Sequence, residues 1–289
     1  MKPASFEYFS PTTISEALDL LSQFGTTARA LAGGQSLVPM MNFRLARPSH
    51  LIDLNRIPEL SYVTVENGEL RIGAMTRQRE IERSAAVLEG WPLLKEATGY
   101  IGHVQIRNRG TVGGSLAHAY PASELPVAMC ALDAVFVLRS QRGERLLKAR
   151  ELFVGPMTTV LEPEELLIEI RVPPLPARTG WAFQEISRRF GDFALMAVAC
   201  LLTLDGAGAI QKASLAFTDS TPVRPESAEQ RLVGKRPDRD LFSEVGRLAA
   251  AALNPDTDVH ASAEYRREIA GVLARRALQQ AAERAASFT

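Results

Sequence analysis

Runs of apolar residues at helical and strand spacing divide this chain into segments. Phe6–Phe9 has the character of a short strand that ends at Ser10-Pro11. Thr13-Ile14-Ser15-Glu16 then forms a capping box, and Ala17, Leu18, Leu20, Leu21 and Phe24 supply the apolar face of a helix closed by Gly25. Ala28–Leu31 reads as a strand, Leu37–Met41 as a short helix and His50–Leu54 as another strand. Strand, helix and strand in so few residues predict a small βαβ unit.

From Tyr62 the texture changes. Tyr62–Val65, Asn67-Gly68 and Leu70–Ile72 predict a hairpin, because Asn-Gly suits a type I′ turn. Leu88–Ile101 is mostly helical in pattern, with Pro92 tolerated near a helix start. An apolar helix is expected from about Glu124 to Leu132, with strands at Val135–Leu138, Arg145–Lys148 and Leu166–Val172. The Pro-dense run Val172–Pro176 suits neither regular element and marks a domain boundary. Beyond it, Trp181–Ile186 and Ala213–Phe217 read as strands, and the apolar run Phe193–Leu204 as a strand or a buried helix. Helices over about Arg239–Leu253 and Ala263–Ala286 close the chain, and Arg266, Arg267, Arg275 and Arg276 are expected on a solvated face.

Composition narrows the partners. The 289 residues exceed the usual size of one domain, and 46% hydrophobic with 23% charged residues suffices for real cores. Lys+Arg and Asp+Glu balance at 33 each, so no global field draws the chain to nucleic acid or an anionic membrane. Cys130 and Cys200 sit in apolar runs and read as buried free thiols. Two thiols also fall short of the four that an iron–sulfur cluster normally takes. No secretory signal and no transmembrane segment is visible, which points to the cytoplasm.

Candidate chemistry concentrates in two glycine pairs. The stretch Leu31-Ala32-Gly33-Gly34-Gln35-Ser36-Leu37 lies between a strand and a helix. Adjacent glycines allow positive φ and close approach to bare main chain, and successive N–H groups in such a turn can form a nest for an anion. A phosphate cradle and an ordinary tight turn both fit this pattern. A second stretch, Thr111-Val112-Gly113-Gly114-Ser115, repeats it, and two such loops suit a ligand with two phosphates. Glu124 fits two roles, an acceptor for ribose or ribityl hydroxyls or a charge at a helix N-terminus. Arg107 and Arg109 fit phosphate neutralisation, or a surface or interface position. Glu162-Pro163-Glu164-Glu165 reads as a solvated turn. His50, His103, His118 and His260 have no metal-ligand spacing, and nucleophile-elbow, P-loop and Gly-x-Gly-x-x-Gly motifs are absent.

Three motifs stand in order: Ala-Gly-Gly-Gln-Ser-Leu at 32–37, Gln-Ile-Arg-Asn-Arg-Gly-Thr-Val-Gly-Gly-Ser at 105–115, and Ser-Arg-Arg-x-Gly-Asp-Phe-Ala at 187–194. Together they resemble the FAD-binding medium subunit of molybdenum hydroxylases. That family includes the carbon monoxide dehydrogenase medium subunit, matching subunits of nicotine and caffeine dehydrogenases, and the flavin segment of xanthine dehydrogenase. The resemblance covers almost the whole chain. It implies an α+β fold with a vanillyl-alcohol-oxidase/PCMH-type FAD-binding domain over residues 1–175, in subdomains of about 1–56 and 57–175. A smaller α+β C-terminal domain over 176–289 follows. It further implies that Leu31, Ala32, Gly33, Gly34, Gln35, Ser36 and Leu37, with Thr111, Val112, Gly113, Gly114 and Ser115, hold the FAD pyrophosphate. Glu124 contacts the FAD sugar or ribityl region in this scheme. Ile101 and Leu167 fall near the flavin, and Asp192 and Phe193 lie beside the isoalloxazine ring, where an aromatic side chain can stack.

Two positions depart from relatives. Gln35 stands where the carbon monoxide enzyme type has His, and Gln184 where xanthine dehydrogenases carry Lys, so neither carbon monoxide activity nor NAD chemistry is implied. Histidine is missing from both glycine loops, so FAD is expected to be noncovalent. The implied protein is an electron-transfer flavoprotein subunit with no catalytic or metal-binding residue of its own. A molybdopterin-containing large subunit performs the substrate chemistry. A small subunit with [2Fe–2S] clusters passes electrons to FAD, and an external acceptor receives them. The assembly is expected to be a dimer of heterotrimers. Two other readings are a self-contained flavin-dependent oxidoreductase and a flavin-free assembly subunit.

Overall fold

The computed structural model describes residues 2–288, and three main sheets organise them. After β1 (Glu7–Phe9), the Thr13 hydroxyl accepts from the Glu16 N–H and opens α1 (Ile14–Phe24). Ala17, Leu18 and Leu21 of α1 are buried, as the helical spacing predicts. The chain continues into β2 (Ala28–Leu31), α2 (Leu37–Asn42) and β3 (His50–Asp53). β3 lies between β1 and β2 and is parallel to both, with His50 opposite Glu7 on one side and Ala28 on the other. Parallel pairing follows from the helical crossovers, which return each strand in the same direction.

The second sheet opens on the hairpin of β4 (Val63–Glu66) and β5 (Glu69–Gly73). Asn67 and Gly68 take φ of 53° and 81°, the two positive values that a type I′ turn requires. Six helices follow: α3 (Gln78–Arg83), α4 (Ala85–Gly90), α5 (Pro92–Tyr100), α6 (Val104–Arg109), α7 (Val112–His118) and α8 (Glu124–Ala131). The single helix expected over Leu88–Ile101 is two helices, broken at Trp91 because Pro92 starts α5 and has no N–H to continue α4. Next come β6 (Val135–Ser140), β7 (Gly143–Lys148), the short α9 (Ala149–Leu152), the small ladder of β8 (Phe153–Gly155) and β9 (Thr158–Thr159), and β10 (Leu166–Val172). The sheet order is β4-β5-β10-β6-β7, antiparallel throughout.

The third sheet comprises β11 (Thr179–Ile186), β12 (Met196–Leu204) and β13 (Ile210–Phe217), covered by α10 (Glu226–Leu232), α11 (Arg239–Ala251) and α12 (Ala263–Ala286). Every residue of β12 is buried. Its Met196, Val198, Cys200 and Leu202 join the core under the C-terminal helices, whereas Ala197, Ala199 and Leu201 join the core around α5 and α8. That two-sided burial explains why the run has no readable period and fits helix or strand equally well.

Polar ties cross between these layers. Arg284 donates to Glu96 at 2.7 Å and to the Trp181 carbonyl at 2.8 Å, and the Ser214 hydroxyl donates to the Ala131 carbonyl at 2.7 Å. The Trp91 indole anchors the proline run through the Pro173 carbonyl at 2.7 Å. Cys130 and Cys200 are buried and free, and burial pushes both thiols up, Cys130 to about 12. Among the described residues, no helix is long and apolar enough to cross a membrane.

Candidate functional site

The first glycine loop leaves β2 at Leu31 and enters α2 at Leu37. Gly34 sits at φ 74°, a conformation natural to glycine. The N–H groups of Gly33, Gly34, Gln35 and Ser36 donate to no acceptor among the described residues. Backbone donors are almost always paired when they face protein, so four adjacent ones in one turn mark a surface built to meet something else. Gln35 turns inward, its Nε2 donating to the Gly33 carbonyl at 3.1 Å, which stiffens the loop.

Gly33 makes the contact that joins this loop to the second motif. A Cβ there would stand 2.3 Å from the Arg109 carbonyl oxygen and 2.9 Å from Gly110 Cα, so only glycine fits. Two side chains hold the junction. Asn55 Nδ2 donates to the Ala32 carbonyl at 2.9 Å. Arg77 Nη2 donates to Asn55 Oδ1 at 2.6 Å, and its Nη1 to the Arg109 carbonyl at 2.5 Å. Asp53 supports Asn55 by accepting from its backbone N–H at 2.9 Å, and also accepts from the Tyr8 hydroxyl at 2.5 Å. Burial pushes the Asp53 carboxyl up, but these hydrogen bonds outweigh it and hold the group below its ordinary range.

The second glycine motif, expected as a loop, is instead the start of a helix: Thr111 caps α7 and Val112–Ser115 form its first turn. Val112 N–H donates to the Thr76 carbonyl (3.0 Å), Gly113 N–H to the Ala74 carbonyl (2.8 Å), Gly114 N–H to Thr111 Oγ1 (3.1 Å) and Ser115 N–H to the Thr111 carbonyl (3.2 Å). These donors are spent inside the protein, so this motif is no second open nest. Its glycines serve close packing: a Cβ on Gly113 would lie 2.6 Å from Ala74 Cβ, and one on Gly114 would lie 3.2 Å from Ala32 Cβ. The Ser115 hydroxyl carries no hydrogen bond among the described residues.

Both loops open onto one cleft of about 1930 Å³. The cleft gathers Ala32, Gly33, Gly34, Gln35, Ser36, Leu37, Ile101, Thr111, Gly113, Gly114, Ser115, Glu124, Leu167, Asp192 and Phe193. Leu31 and Val112 stay outside its lining; Leu31 ends β2, and Val112 is fully buried in the core. Glu124 begins α8 with only 6% of its surface exposed and accepts from its own backbone N–H. Burial pushes its carboxyl up to about 7. Phe193 is 65% exposed, its ring 4.5 Å from Tyr120, which stacks in turn on His118 at 6.3 Å. Burial pushes the His118 imidazole down, favouring the neutral ring.

Several side chains differ from expectation. Arg107 is buried and fully engaged by protein groups, so phosphate neutralisation is closed to it. Gln184 faces α12, donating to Gln280 at 2.7 Å, away from the cleft lining. Glu165 is half-buried and paired with Arg145 at 2.7 Å, and so is no freely solvated acid. Arg266 reaches inward to the Leu195 carbonyl at 2.6 Å and lines the cleft. Sequence reasoning missed Gln78, buried in the cleft wall with its Oε1 unpartnered among the described residues, and the pair His118 and Tyr120. A six-residue helix carries no readable period, so nothing local singled out Gln78.

The residues present fit a flavin dinucleotide. Four unspent N–H groups beside bare glycine main chain suit a pyrophosphate, and the buried Glu124 carboxyl suits sugar or ribityl hydroxyls. Ile101, Leu167 and the exposed ring of Phe193 suit a flat aromatic group. Comparison with known proteins agrees. Residues 4–175 match the FAD binding domain in molybdopterin dehydrogenase, and residues 181–281 match the CO dehydrogenase flavoprotein C-terminal domain. The chain is 41% identical to the 6-hydroxypseudooxynicotine dehydrogenase complex subunit alpha of Paenarthrobacter nicotinovorans, over 99% of this chain and 97% of that one. It is 39% identical to the carbon monoxide dehydrogenase medium chain of Hydrogenophaga pseudoflava, over 99% of this chain and 100% of that one. It superposes on quinoline 2-oxidoreductase from Pseudomonas putida 86 with a TM-score of 0.94 at 34% identity, covering 99% of each chain.

Proposed function

Because this chain belongs to the FAD-binding medium subunits of molybdenum-containing dehydrogenases, we propose that it is the electron-transfer flavoprotein of such a complex. In this reading it receives electrons from the [2Fe–2S] clusters of a small partner subunit. A large partner subunit with molybdopterin oxidises the organic substrate, and an external acceptor takes the electrons from this chain. The bound FAD supplies the redox chemistry, storing two electrons and releasing them singly or as a pair. The assembly is a dimer of heterotrimers.

The observation that carries this reading is the row of unspent N–H groups from Gly33 to Ser36, held against the Arg109–Gly110 backbone at the mouth of the cleft. These donors bind and orient the pyrophosphate. The second motif adds the Ser115 hydroxyl to the same cleft. Glu124 accepts from the sugar or ribityl hydroxyls, and Gln78 is a further acceptor in the same wall. Ile101, Leu167, Asp192 and Phe193 surround the ring system. No residue of this chain has to transfer a proton to the organic substrate, consistent with the lack of any nucleophile or metal motif in the sequence.

The test is purification of the chain from its native host, followed by flavin, molybdenum and iron analysis. FAD, molybdenum and iron are expected to co-elute with it, and the complex's substrate is expected to bleach the flavin absorbance. A chain recovered alone, without either metal and taking up no FAD on reconstitution with its partners, would overturn the proposal.

A further inference from the structure

The Arg107 side chain is the most heavily engaged cation near the cleft, and nothing in the flavin reading uses it. The residue is 5% exposed. Its Nε and Nη2 donate to the two carboxylate oxygens of Glu82, at 3.0 and 3.2 Å. Its Nη1 donates to the Ile101 carbonyl at 2.8 Å and to the Gly102 carbonyl at 3.2 Å. Burial acts to raise the Glu82 carboxyl, but hydrogen bonds from Arg107 and Arg79 outweigh it and leave the group below its ordinary range. The pair is therefore charged on both sides, with the forked geometry peculiar to arginine and carboxylate.

What this fork grips is the turn between α5 and α6. Ile101 of that turn lines the cleft, Gly102 takes φ 44°, and His103 follows. A Cβ on Gly191 would lie 2.4 Å from His103 Cε1, so the imidazole packs directly on the Gly191 backbone. Phe190 leans on the same ring, its centroid 6.1 Å away. Gly191 is the residue before Asp192 and Phe193, which come from the connection between β11 and β12 in the third sheet. A continuous line of contacts thus runs from Glu82 on α3, through Arg107, to the turn at Ile101–His103 and on to the Asp192–Phe193 segment.

From this line we infer that Arg107 is a positioning residue for the flavin ring. Locked by Glu82, it sets where Ile101 stands in the cleft. Through His103 against Gly191 it also seats the segment that brings Phe193 to the same place. The inference rests on the flavin reading above. Lysine cannot replace the guanidinium, since one ammonium cannot bond the carboxylate in a fork and two carbonyls together.

The experiment compares wild type, R107K, R107M and G102A as full-length chains in the assembled complex. Each is read by FAD affinity, by the shape of the bound-flavin absorption bands and by the flavin midpoint potential. G102A strains the turn at its positive φ while leaving the Arg107–Glu82 pair in place. All three variants are expected to alter the band shape and the potential in the same direction, and R107M and R107K to weaken FAD binding by about tenfold or more. Variants that melt at lower temperature yet keep the wild-type spectrum and potential would overturn the inference, because that is the signature of a purely structural ion pair. If R107M does not fold, R107K and G102A decide the question. A wild-type complex that takes up no FAD would instead overturn the flavin reading itself.

Discussion

The two glycine pairs look alike in sequence, and each supplies a close-packing glycine, but their backbone donors have opposite fates. At Gly33-Gly34 the N–H groups are unspent, although Gly33 itself is buried against Arg109; at Gly113-Gly114 the N–H groups are bonded within the protein. The first leaves a row of unbonded donors lining the cleft. The second is a space-saver that lets α7 sit on Ala74 and against Ala32, which brings the two loops within reach of one molecule. A Gly-Gly pair thus signals close approach to bare main chain, and only the neighbours decide whether protein or ligand makes that approach.

The largest effect should separate the two loops outright. G113V drives a branched side chain into Ala74 in the core and should lower the unfolding free energy of the flavin-free chain by about 3 kcal/mol. G34V acts on an open loop, where the left-handed backbone costs about 1–2 kcal/mol and little packing is lost. It should cut FAD affinity by at least about tenfold while leaving the third sheet intact. Urea denaturation and flavin titration of both variants measure the contrast. Equal loss of stability in the two would break it.

A smaller effect tests the junction between the loops. N55A removes the donor to the Ala32 carbonyl and strips Arg77 Nη2 of its acceptor, while Nη1 keeps the Arg109 carbonyl. The three lost hydrogen bonds, counting the one to Asp53 Oδ1, at a half-buried site are expected to cost about 2–3 kcal/mol, shared between stability and FAD affinity. Fluorescence titration with FAD shows the share; unchanged affinity would mean that the first loop keeps its shape without the second.

The smallest effect concerns pH, and sharpens how far the region behind the second loop is pure packing. Burial pushes Glu124 up to about 7, and burial together with the charge of Glu124 pushes Glu185 up to about 8. One Glu185 oxygen is buried without a hydrogen-bond partner among the described residues. Between about pH 4.5 and 8 the folded chain therefore holds protons that the unfolded chain has released. Stability contributed by these groups is complete below that window and lost as pH rises through it. E185Q should flatten the decline and be the more stable protein at pH 8, by about 1 kcal/mol or more. Urea melts at pH 5.5 and pH 8 check this, and parallel curves for the two proteins would refute it.

Much of the architecture was legible from local pattern. The α1 cap at Thr13, the Asn67-Gly68 turn and the long C-terminal helix each depend on a few neighbouring residues, and each stands as read. The helices α3, α6 and α10 were not legible, because six or seven residues show too little periodicity to rise above loop sequence. The run 193–204 resisted for the opposite reason, since a strand buried on both faces has no polar side to set its phase.

For the site, sequence alone picked out the candidates, namely two glycine pairs, an acid at 124 and an aromatic at 193, and three motifs in order pointed to the family. Only the tertiary structure decided how each is used. The N–H groups of 33–36 are open because no strand or helix reaches them, whereas those of 112–115 are consumed because Ala74, Thr76 and Thr111 do. It also moved Arg107 from a candidate phosphate ligand to the grip on the Ile101–His103 turn, since its partner Glu82 lies 25 residues away. Whether a donor is spent depends on what stands across from it, and that neighbour is set by packing between distant segments, which no local pattern records.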